Sequence, residues 1–335
     1  MEIGIGLDPM LGLPPDELRG LARDAADHGF ASVWTPAGAT GFDAFHTCVR
    51  WFETSGLPTG ISVIPAGNWS AVTLAAQAAT VSTITRGTFT LGIGANPLYE
   101  PHAREMFGLP NVTPLTALRE YAIALRGLLG GESVTLEGKM ITLRGVSLGI
   151  KPPPTPVFVA ALGPKTLQMA GRHADGVLPN WASPEQVAWC RERIAEGARA
   201  AGRDPSAVPI TQYIRVCVDE DVPAARRALS RQVVNYALLP TYRAHFERMG
   251  FADALVAYET GRADGADAND LLDRFPDELI RKVGYFGGAA EAPAAFKRLA
   301  TGLDTAVVRV ITARKTAEAV RETMRALAPE RVRAA

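Results

Sequence analysis

Short apolar runs with β-strand composition recur along the chain at nearly equal spacing, and helical patterns fill the segments between them. The first four runs begin at Ile3, Ala31, Thr59 and Thr88. Apolar positions at helical spacing over 15–28 and 71–84 predict two of the helices that separate them. Four further runs begin at Val157, Asp175, Ile210 and Thr305. This alternation predicts a parallel sheet with right-handed crossovers.

Eight such strands favour a (β/α)8 barrel, with a doubly wound open sheet as the alternative. We expect residues 1–335 to form one domain, because barrels of this kind often reach this length. Two segments interrupt the repeat, at about 95–156 after the fourth strand and at about 219–304 after the seventh. We expect the second insertion to build a wall over the mouth of the barrel, with extra packing as the alternative. A last helix is predicted over 316–327, and the tail after Pro329 is expected to be mobile.

Composition and charge narrow the classes of function. The chain has 335 residues, of which 47% are hydrophobic, and its 35 Lys+Arg balance its 35 Asp+Glu. A formal net charge of zero gives no reason to expect nucleic acid or a membrane as a partner. Three widely spaced cysteines suit a reducing cytosol, and no Cys/His spacing predicts a metal site. Neither a signal peptide nor a long apolar span is recognisable, so we expect a cytoplasmic protein.

The stretch VFVAALGPKTLQMAG, starting at Val157, reads as a strand, a turn of small residues and a helix. Pro164 fits the first turn of a helix, where its missing N–H costs nothing. The turn leaves backbone N–H groups free at a helix N-terminus, which is the physical requirement for holding a phosphate. An ordinary βα turn explains the geometry equally well.

The residues expected at the carboxyl ends of the strands are mostly small or aromatic. Among them we find neither a Ser/His/Asp set nor a carboxylate pair, and His-rich clusters are also missing. Such a floor is poor for hydrolysis or metal chemistry. It suits a flat ring system packed against bare backbone, with the chemistry carried by that ring.

Several stretches resemble the bacterial luciferase-like superfamily, and in particular its branch that uses the deazaflavin coenzyme F420. They are AALGPKTLQMAG with ADGVLPNW, TGISVIP on the third strand, TLGIGAN on the fourth, and YALLPTYRAHFERMGF in the second insertion. The resemblance runs from Ile3 to about Leu327. It implies a barrel fold, a small-molecule substrate and a homodimer.

The resemblance also implies which residues meet the cofactor. Its phosphate would lie on the backbone of Ala160, Ala161, Leu162 and Gly163, near Lys165. Ser62 and Val63 would lie behind the central ring, with a non-prolyl cis peptide bond between them. Ala95 and Asn96 would lie beside the polar edge of the ring, and Asn180 would lie near the cofactor at the end of the sixth strand. The substrate pocket would be shaped by Trp34, Trp181 and Tyr213.

The sequence departs from the family where family members handle protons. An Asp-His pair often follows the second strand, but this chain has Trp-Thr-Pro-Ala over 34–37. Some members carry a Glu after the fourth strand, where this chain has Ala-Asn-Pro over 95–97. The catalytic residues are therefore unknown, and Tyr99 and Glu100 are the candidates that remain.

The resemblance predicts an oxidoreductase that transfers a hydride between C5 of F420 and a small organic substrate. Two alternatives stay open. One is an FMN-dependent monooxygenase of the same superfamily, and the other is a flavin-binding barrel without catalysis. The sequence identifies neither the substrate nor the direction of the reaction.

Overall fold

The computed structural model describes residues 1–7, 11–38 and 41–335, without the side chains of residues 96 and 97. The strands are β1 (Glu2–Gly6), β2 (Val33–Thr35), β3 (Thr59–Pro65), β4 (Phe89–Gly94), β5 (Val134–Glu137), β6 (Thr142–Val146), β7 (Val157–Ala160), β8 (Gly176–Leu178), β9 (Thr211–Val218), β10 (Gly284–Gly287) and β11 (Thr305–Val310). The helices are α1 (Pro15–Asp27), α2 (Ala44–Ser55), α3 (Ala71–Ile84), α4 (Asn96–Tyr99), α5 (Pro101–Met106), α6 (Pro114–Leu129), α7 (Pro164–His173), α8 (Pro184–Ala200), α9 (Val222–Ala237), α10 (Pro240–Arg248), α11 (Ala252–Ala263), α12 (Ala268–Asp273), α13 (Asp277–Val283), α14 (Ala292–Leu299), α15 (Ala317–Ala326) and α16 (Pro329–Ala334).

Nine parallel strands form one sheet, in the order β10-β9-β11-β1-β2-β3-β4-β7-β8. Two further parallel bridges, Val177–Ile210 and Asn180–Tyr213, connect the edge strand β8 and the residues after it to β9 and the residue before it. The sheet is therefore curled so that β8 returns to β9. The predicted α/β fold with a parallel sheet is confirmed, and each of the eight predicted strands is present.

The interior of the curled sheet is filled by a small cluster of large side chains. It consists of Trp34, Phe158, Leu178, Tyr213 and Val307, with Val63 packed against it. Glycines make room for them: a Cβ at Gly60 would lie 2.5 Å from the Trp34 ring. The larger core lies between the sheet and its surrounding helices. The interior is thus packed at its base, and a ligand site is expected nearer the carboxyl ends of the strands.

The two long segments between sheet strands have different structures. Residues 95–156 hold α4, α5, α6 and the antiparallel hairpin β5–β6. The buried carboxylate of Glu120 accepts hydrogen bonds from the N–H groups of Lys139, Met140 and Ile141, which fixes the hairpin to α6. Residues 219–304 hold α9 to α14 around a separate apolar cluster. The strand β10, which the sequence analysis missed, pairs with the carboxyl half of β9.

The tail after Pro329 is ordered, so the expectation of a mobile end is wrong. It forms α16, whose Val332 is buried and whose helix packs on α14. Along the described chain we find no helix with the length and hydropathy needed to cross a membrane.

Candidate functional site

A cavity of about 320 Å³ opens among the carboxyl ends of the strands. Its walls come from β3, β7, β8, β9 and β11, from the loop after β2, and from α9 and α10. The lining residues are Pro36, Ala37, Gly38, Gly41, Phe42, Ser62, Val63, Ala160, Leu178, Pro179, Asn180, Tyr213, Arg215, Tyr236, Tyr242 and Arg309. None of these described lining residues is Asp or Glu, so the ionisable groups here are cations and tyrosines.

The β3 wall of the cavity carries a bulge. The pairing of β3 with β4 shifts register between Ile61 and Ile64, and the Ser62–Val63 peptide bond between them is cis, as predicted. Gly94 on β4 makes room for this segment, because a Cβ there would lie 2.6 Å from Cγ2 of Val63. The bulge brings Ser62 and Val63 to the cavity wall.

The turn after β7 leads from the cavity to the N-terminus of α7. Gly163 is the N-cap of this helix, Pro164 follows in the first turn, and no described side chain caps the first N–H groups. A Cβ at Gly163 would meet no atom within 4 Å, so the space in front of the helix is open. Arg248 of α10 donates from Nη2 to the carbonyl oxygen of Leu162 at 3.1 Å. The turn therefore combines free N–H groups, open space and a nearby guanidinium, the features that favour an anion.

The part of the cavity wall formed by β9 and its neighbours, which we call the β9 wall, contains a buried arginine. Arg215 on β9 is 3% exposed, and its guanidinium carbon lies 3.9 Å from the centre of the Trp181 ring and 5.2 Å from that of Tyr236. Its Nη1 donates to Oδ1 of Asn180 at 2.6 Å, and Nδ2 of Asn180 donates to the Tyr242 hydroxyl at 2.8 Å. Burial lowers the pKa of Arg215 and raises the pKa of Tyr242 to about 12. At neutral pH the arginine still carries its charge, because an arginine pKa starts far above 7.

Two further side chains complete this wall. Tyr213 lies two residues before Arg215 on β9, is 6% exposed, and its hydroxyl has no hydrogen-bond partner among the described residues. Burial raises the pKa of Tyr213 well above its usual value, so the hydroxyl stays protonated. The guanidinium of Arg309 lies 4.8 Å from the Tyr213 ring centre, and burial lowers the pKa of Arg309 to about 10.

The structure brings together most of the residues predicted for the cofactor. Ser62, Val63, Ala160 and Asn180 line the cavity, as does the predicted substrate residue Tyr213. The adjoining turn holds Ala161, Leu162, Gly163 and Lys165, of which Lys165 is exposed. Ala95 is buried at the end of β4, and the side chain of Asn96 lies outside the described part of the chain. Their contacts with a cofactor stay predictions.

Two predicted substrate residues are not at the cavity. Trp34 is buried in the interior of the sheet, where its Nε1 donates to Oγ of Ser32 at 2.8 Å. Trp181 is fully buried under the guanidinium of Arg215. Both indole rings lie behind the wall because large apolar surfaces are more stable inside the packed core. That either residue binds a substrate stays a prediction.

The two candidates for proton transfer are not among the lining residues, although Tyr99 lies close enough to the lining residue Tyr242 to influence its pKa. Tyr99 ends α4 with 42% of its surface exposed, and Glu100 follows it on the surface. That either of them handles a proton stays a prediction.

Sequence reasoning missed Arg215, Arg309, Tyr236 and Tyr242. A signal for the arginines was present, since each stands alone inside an apolar strand, in ITQYIRVCV and TAVVRVITA. Charged residues are rarely buried unless a partner or a function requires it. The two tyrosines lie on helices of the second long segment, within the stretch YALLPTYRAHFERMGF, but nothing in that stretch distinguishes them from its other side chains.

His245 on α10 contacts the backbone of Trp181, and its burial makes the stability of the fold depend on pH. Its Nε2 lies 3.1 Å from the carbonyl oxygen of Trp181, its Nδ1 has no partner among the described residues, and burial lowers its pKa to about 4. Between about pH 6.5 and pH 4 the unfolded chain binds a proton here that the folded chain does not. We expect the free energy of unfolding to fall by roughly 2–3 kcal/mol from this group as the pH drops through that range.

Urea titrations at several pH values check this expectation, with His245→Gln as the comparison. The glutamine amide can still donate to the Trp181 carbonyl but does not titrate. Its stability is expected to decline less steeply with falling pH than that of the parent protein. Equal slopes would contradict a neutral, buried histidine.

Comparisons with known proteins agree with this fold and cavity. The sequence profile of the family described as luciferase-like monooxygenase matches residues 2–306. A 5,10-methylenetetrahydromethanopterin reductase of Methanolobus tindarius is 31% identical over 252 residues, which are 75% of this chain and 76% of that protein.

Solved structures share the fold. The coenzyme F420-dependent tetrahydromethanopterin reductase of Methanopyrus kandleri superimposes with a TM-score of 0.81 at 22% identity, over 98% of this chain and 99% of that one. The oxygenating constituent of 3,6-diketocamphane monooxygenase of Pseudomonas putida, in complex with FMN, has a TM-score of 0.64 at 17% identity over 98% of both chains. With a profile match over most of its length and a relative of this similarity, the chain belongs to the luciferase-like monooxygenase family.

Proposed function

We propose that this chain is an F420-dependent oxidoreductase that transfers a hydride between C5 of the deazaflavin and a small organic substrate. We further propose that it works as a (β/α)8 barrel, with insertions after the fourth and seventh barrel strands. The second insertion supplies Tyr236 and Tyr242 to the cavity wall, which supports its role as a wall over the mouth.

One observation carries this proposal. Ala160 lines the cavity, and Gly163, the N-cap of α7, follows it by three residues, so the cavity and the open helix N-terminus are adjacent along the chain. The cavity wall formed by Ser62, Val63 and Ala160 is small and largely apolar, which suits the face of a flat ring. The first N–H groups of α7 suit a phosphate. A ring joined to a phosphate therefore fits the residues that are present.

The side chains of the protein would bind and orient such a ligand. When bound, the deazaflavin would supply the chemistry, by carrying the hydride to or from a carbon of the substrate. Asn180 is held at both ends of its amide, by Arg215 and Tyr242, so it presents a fixed polar surface beside the cavity. The helices α9 and α10 contribute Tyr236 and Tyr242 to the cavity wall. The relative of Methanolobus tindarius, whose name includes a reductase activity, supports a reductive direction.

Titration of the purified protein with F420 and, separately, with FMN tests this proposal by calorimetry. We expect F420 to bind at least about 10-fold more tightly than FMN, without oxygen consumption. Tighter binding of FMN, together with oxygen consumption in the presence of a reductant, would contradict it and favour the monooxygenase. Binding of F420 without turnover in a broad substrate screen would favour a barrel that binds the cofactor without catalysis.

A further inference from the structure

Arg215 and the bulge of β3 lie on opposite sides of the interior of the curled sheet. Counted around the curled sheet, β9 is four strands from β3 in either direction, through β2, β1 and β11 or through β4, β7 and β8. The residues Ser62–Val63 and Arg215 therefore line opposite walls of the same cavity. A ring packed on the bulge would turn its other face toward β9.

The β9 wall contains a cation that no described carboxylate neutralises. Arg215 is almost fully buried, and its partners are the amide oxygen of Asn180, the hydroxyl of Tyr236 and the faces of Trp181 and Tyr236. No ion pair links it to an Asp or Glu of residues 1–7, 11–38 or 41–335. Keeping such a charge out of water is costly unless an anion compensates it.

A donor without a partner stands beside this cation. Tyr213 and Arg215 are two residues apart on β9, so both side chains point to the same face of the strand, which is the cavity. The hydroxyl of Tyr213 is buried and has no acceptor among the described residues. A buried hydroxyl without an acceptor is unfavourable, and an oxygen atom of a ligand would satisfy it.

We propose that Arg215 and Tyr213 bind an anionic oxygen of the substrate, on the face of the ring turned away from Ser62–Val63. The substrate class is then a small planar molecule with a carboxylate or a similar delocalised oxyanion. The inference deepens the proposed function and rests on it for the position of the ring. The guanidinium supplies charge and donors in a plane, and the hydroxyl supplies one directed hydrogen bond. An anionic oxygen of the cofactor ring itself is the other source of the same chemistry.

Benzoate and its neutral analogue benzamide are suitable probes, because they have nearly the same shape and differ in charge. Their affinities are measured by calorimetry for the cofactor-free and the F420-loaded protein. We expect benzoate to bind the F420-loaded protein at least about 10-fold more tightly than benzamide. The variants Tyr213→Phe and Arg215→Gln should each weaken benzoate binding by about 10-fold or more and change benzamide binding little, since hydrogen bonds to charged groups are the strong ones.

Tyr121→Phe is the matched control. The Tyr121 hydroxyl donates to the carbonyl oxygen of Trp69 at 2.6 Å, away from the cavity, so its loss should leave benzoate binding unchanged. Tyr213→Phe removes an oxygen atom that has no described partner, so its melting temperature should stay at or above that of the parent. If Arg215→Gln fails to fold, the benzoate affinity of Tyr213→Phe alone tests whether this wall binds the anion.

Two outcomes would overturn the inference. Equal affinities for benzoate and benzamide in both forms would show that the wall does not select an anion. Benzoate that binds only the cofactor-free protein and is displaced by F420 would assign the anion site to the cofactor ring. Failure of F420 to bind overturns the proposed function separately, because the preference for benzoate can be read in the cofactor-free protein.

Discussion

Replacing Gly163 with valine is expected to weaken F420 binding by about 100-fold while lowering the melting temperature only slightly, because valine is a poorer N-cap than glycine. Gly163 is the N-cap of α7, and a Cβ there meets nothing within 4 Å, so the fold tolerates the new side chain. A side chain at an N-cap lies over the N–H groups of the first turn, where we place the phosphate. Loss of two hydrogen bonds to a charged group is sufficient for an effect of this size.

Gly163→Asp sharpens this test. An N-cap aspartate stabilises a helix by a few tenths of a kcal/mol relative to glycine, so the fold should be slightly more stable. Its carboxylate would occupy the same N–H groups and repel the phosphate. Gly149→Val is the matched control, because a Cβ at Gly149 also meets nothing within 4 Å and this position lies outside the cavity. Unchanged F420 affinity in both Gly163 variants would remove this turn from the site.

Replacing Gly197 with alanine is expected to lower the free energy of unfolding by about 3 kcal/mol or more. In α8, a Cβ at Gly197 would lie 1.9 Å from the carbonyl oxygen of Gln168 in α7. The contact is reciprocal, since a Cβ at Gly171 in α7 would lie 2.2 Å from the carbonyl oxygen of Ile194 in α8. Backbone atoms on both sides cannot rotate away, so the two helices must separate and lose their packing.

Urea denaturation measures this effect, with Gly20→Ala as the control. Gly20 lies inside α1, and a Cβ there meets nothing within 4 Å. Alanine at that position should stabilise the protein by about 0.5–1 kcal/mol through its helix propensity. A Gly197→Ala variant as stable as the parent would mean that α7 and α8 do not touch through their backbones.

The parallel strands and their helices were predictable because their signals are local. The helix predicted over 71–84 agrees with α3 (Ala71–Ile84), and Ser70 caps it through a bond from the N–H of Thr73. Strand β10 and helix α16 were missed, because each is short and depends on contacts with distant segments. Gly284 of β10 pairs with Arg215 on β9, and Val332 is buried against helices that precede it.

The residues of the candidate site also divide into those with a local sequence signal and those that depend on contacts between distant segments. The turn before α7 and the β3 segment are continuous in sequence, so motif reasoning could find them. The β9 wall is assembled from distant segments: Asn180, Arg215 and Tyr242 meet through two hydrogen bonds that no spacing in the sequence announces. The burial of Trp34 depends on a glycine in the neighbouring strand, at Gly60. Resemblance to a family predicted Ser62, Val63, Asn180 and Tyr213, and only packing revealed that Arg215, Tyr236 and Tyr242 line the same cavity.

A crystal structure of the protein with F420 bound is the most direct test of the account. We predict density for the deazaflavin ring between the Ser62–Val63 segment and the wall formed by Tyr213 and Arg215, and density for a phosphate at the first N–H groups of α7. The result that would contradict the account is a ring bound outside this cavity, for example in the groove between α1 and α2 lined by Leu18 and Trp51.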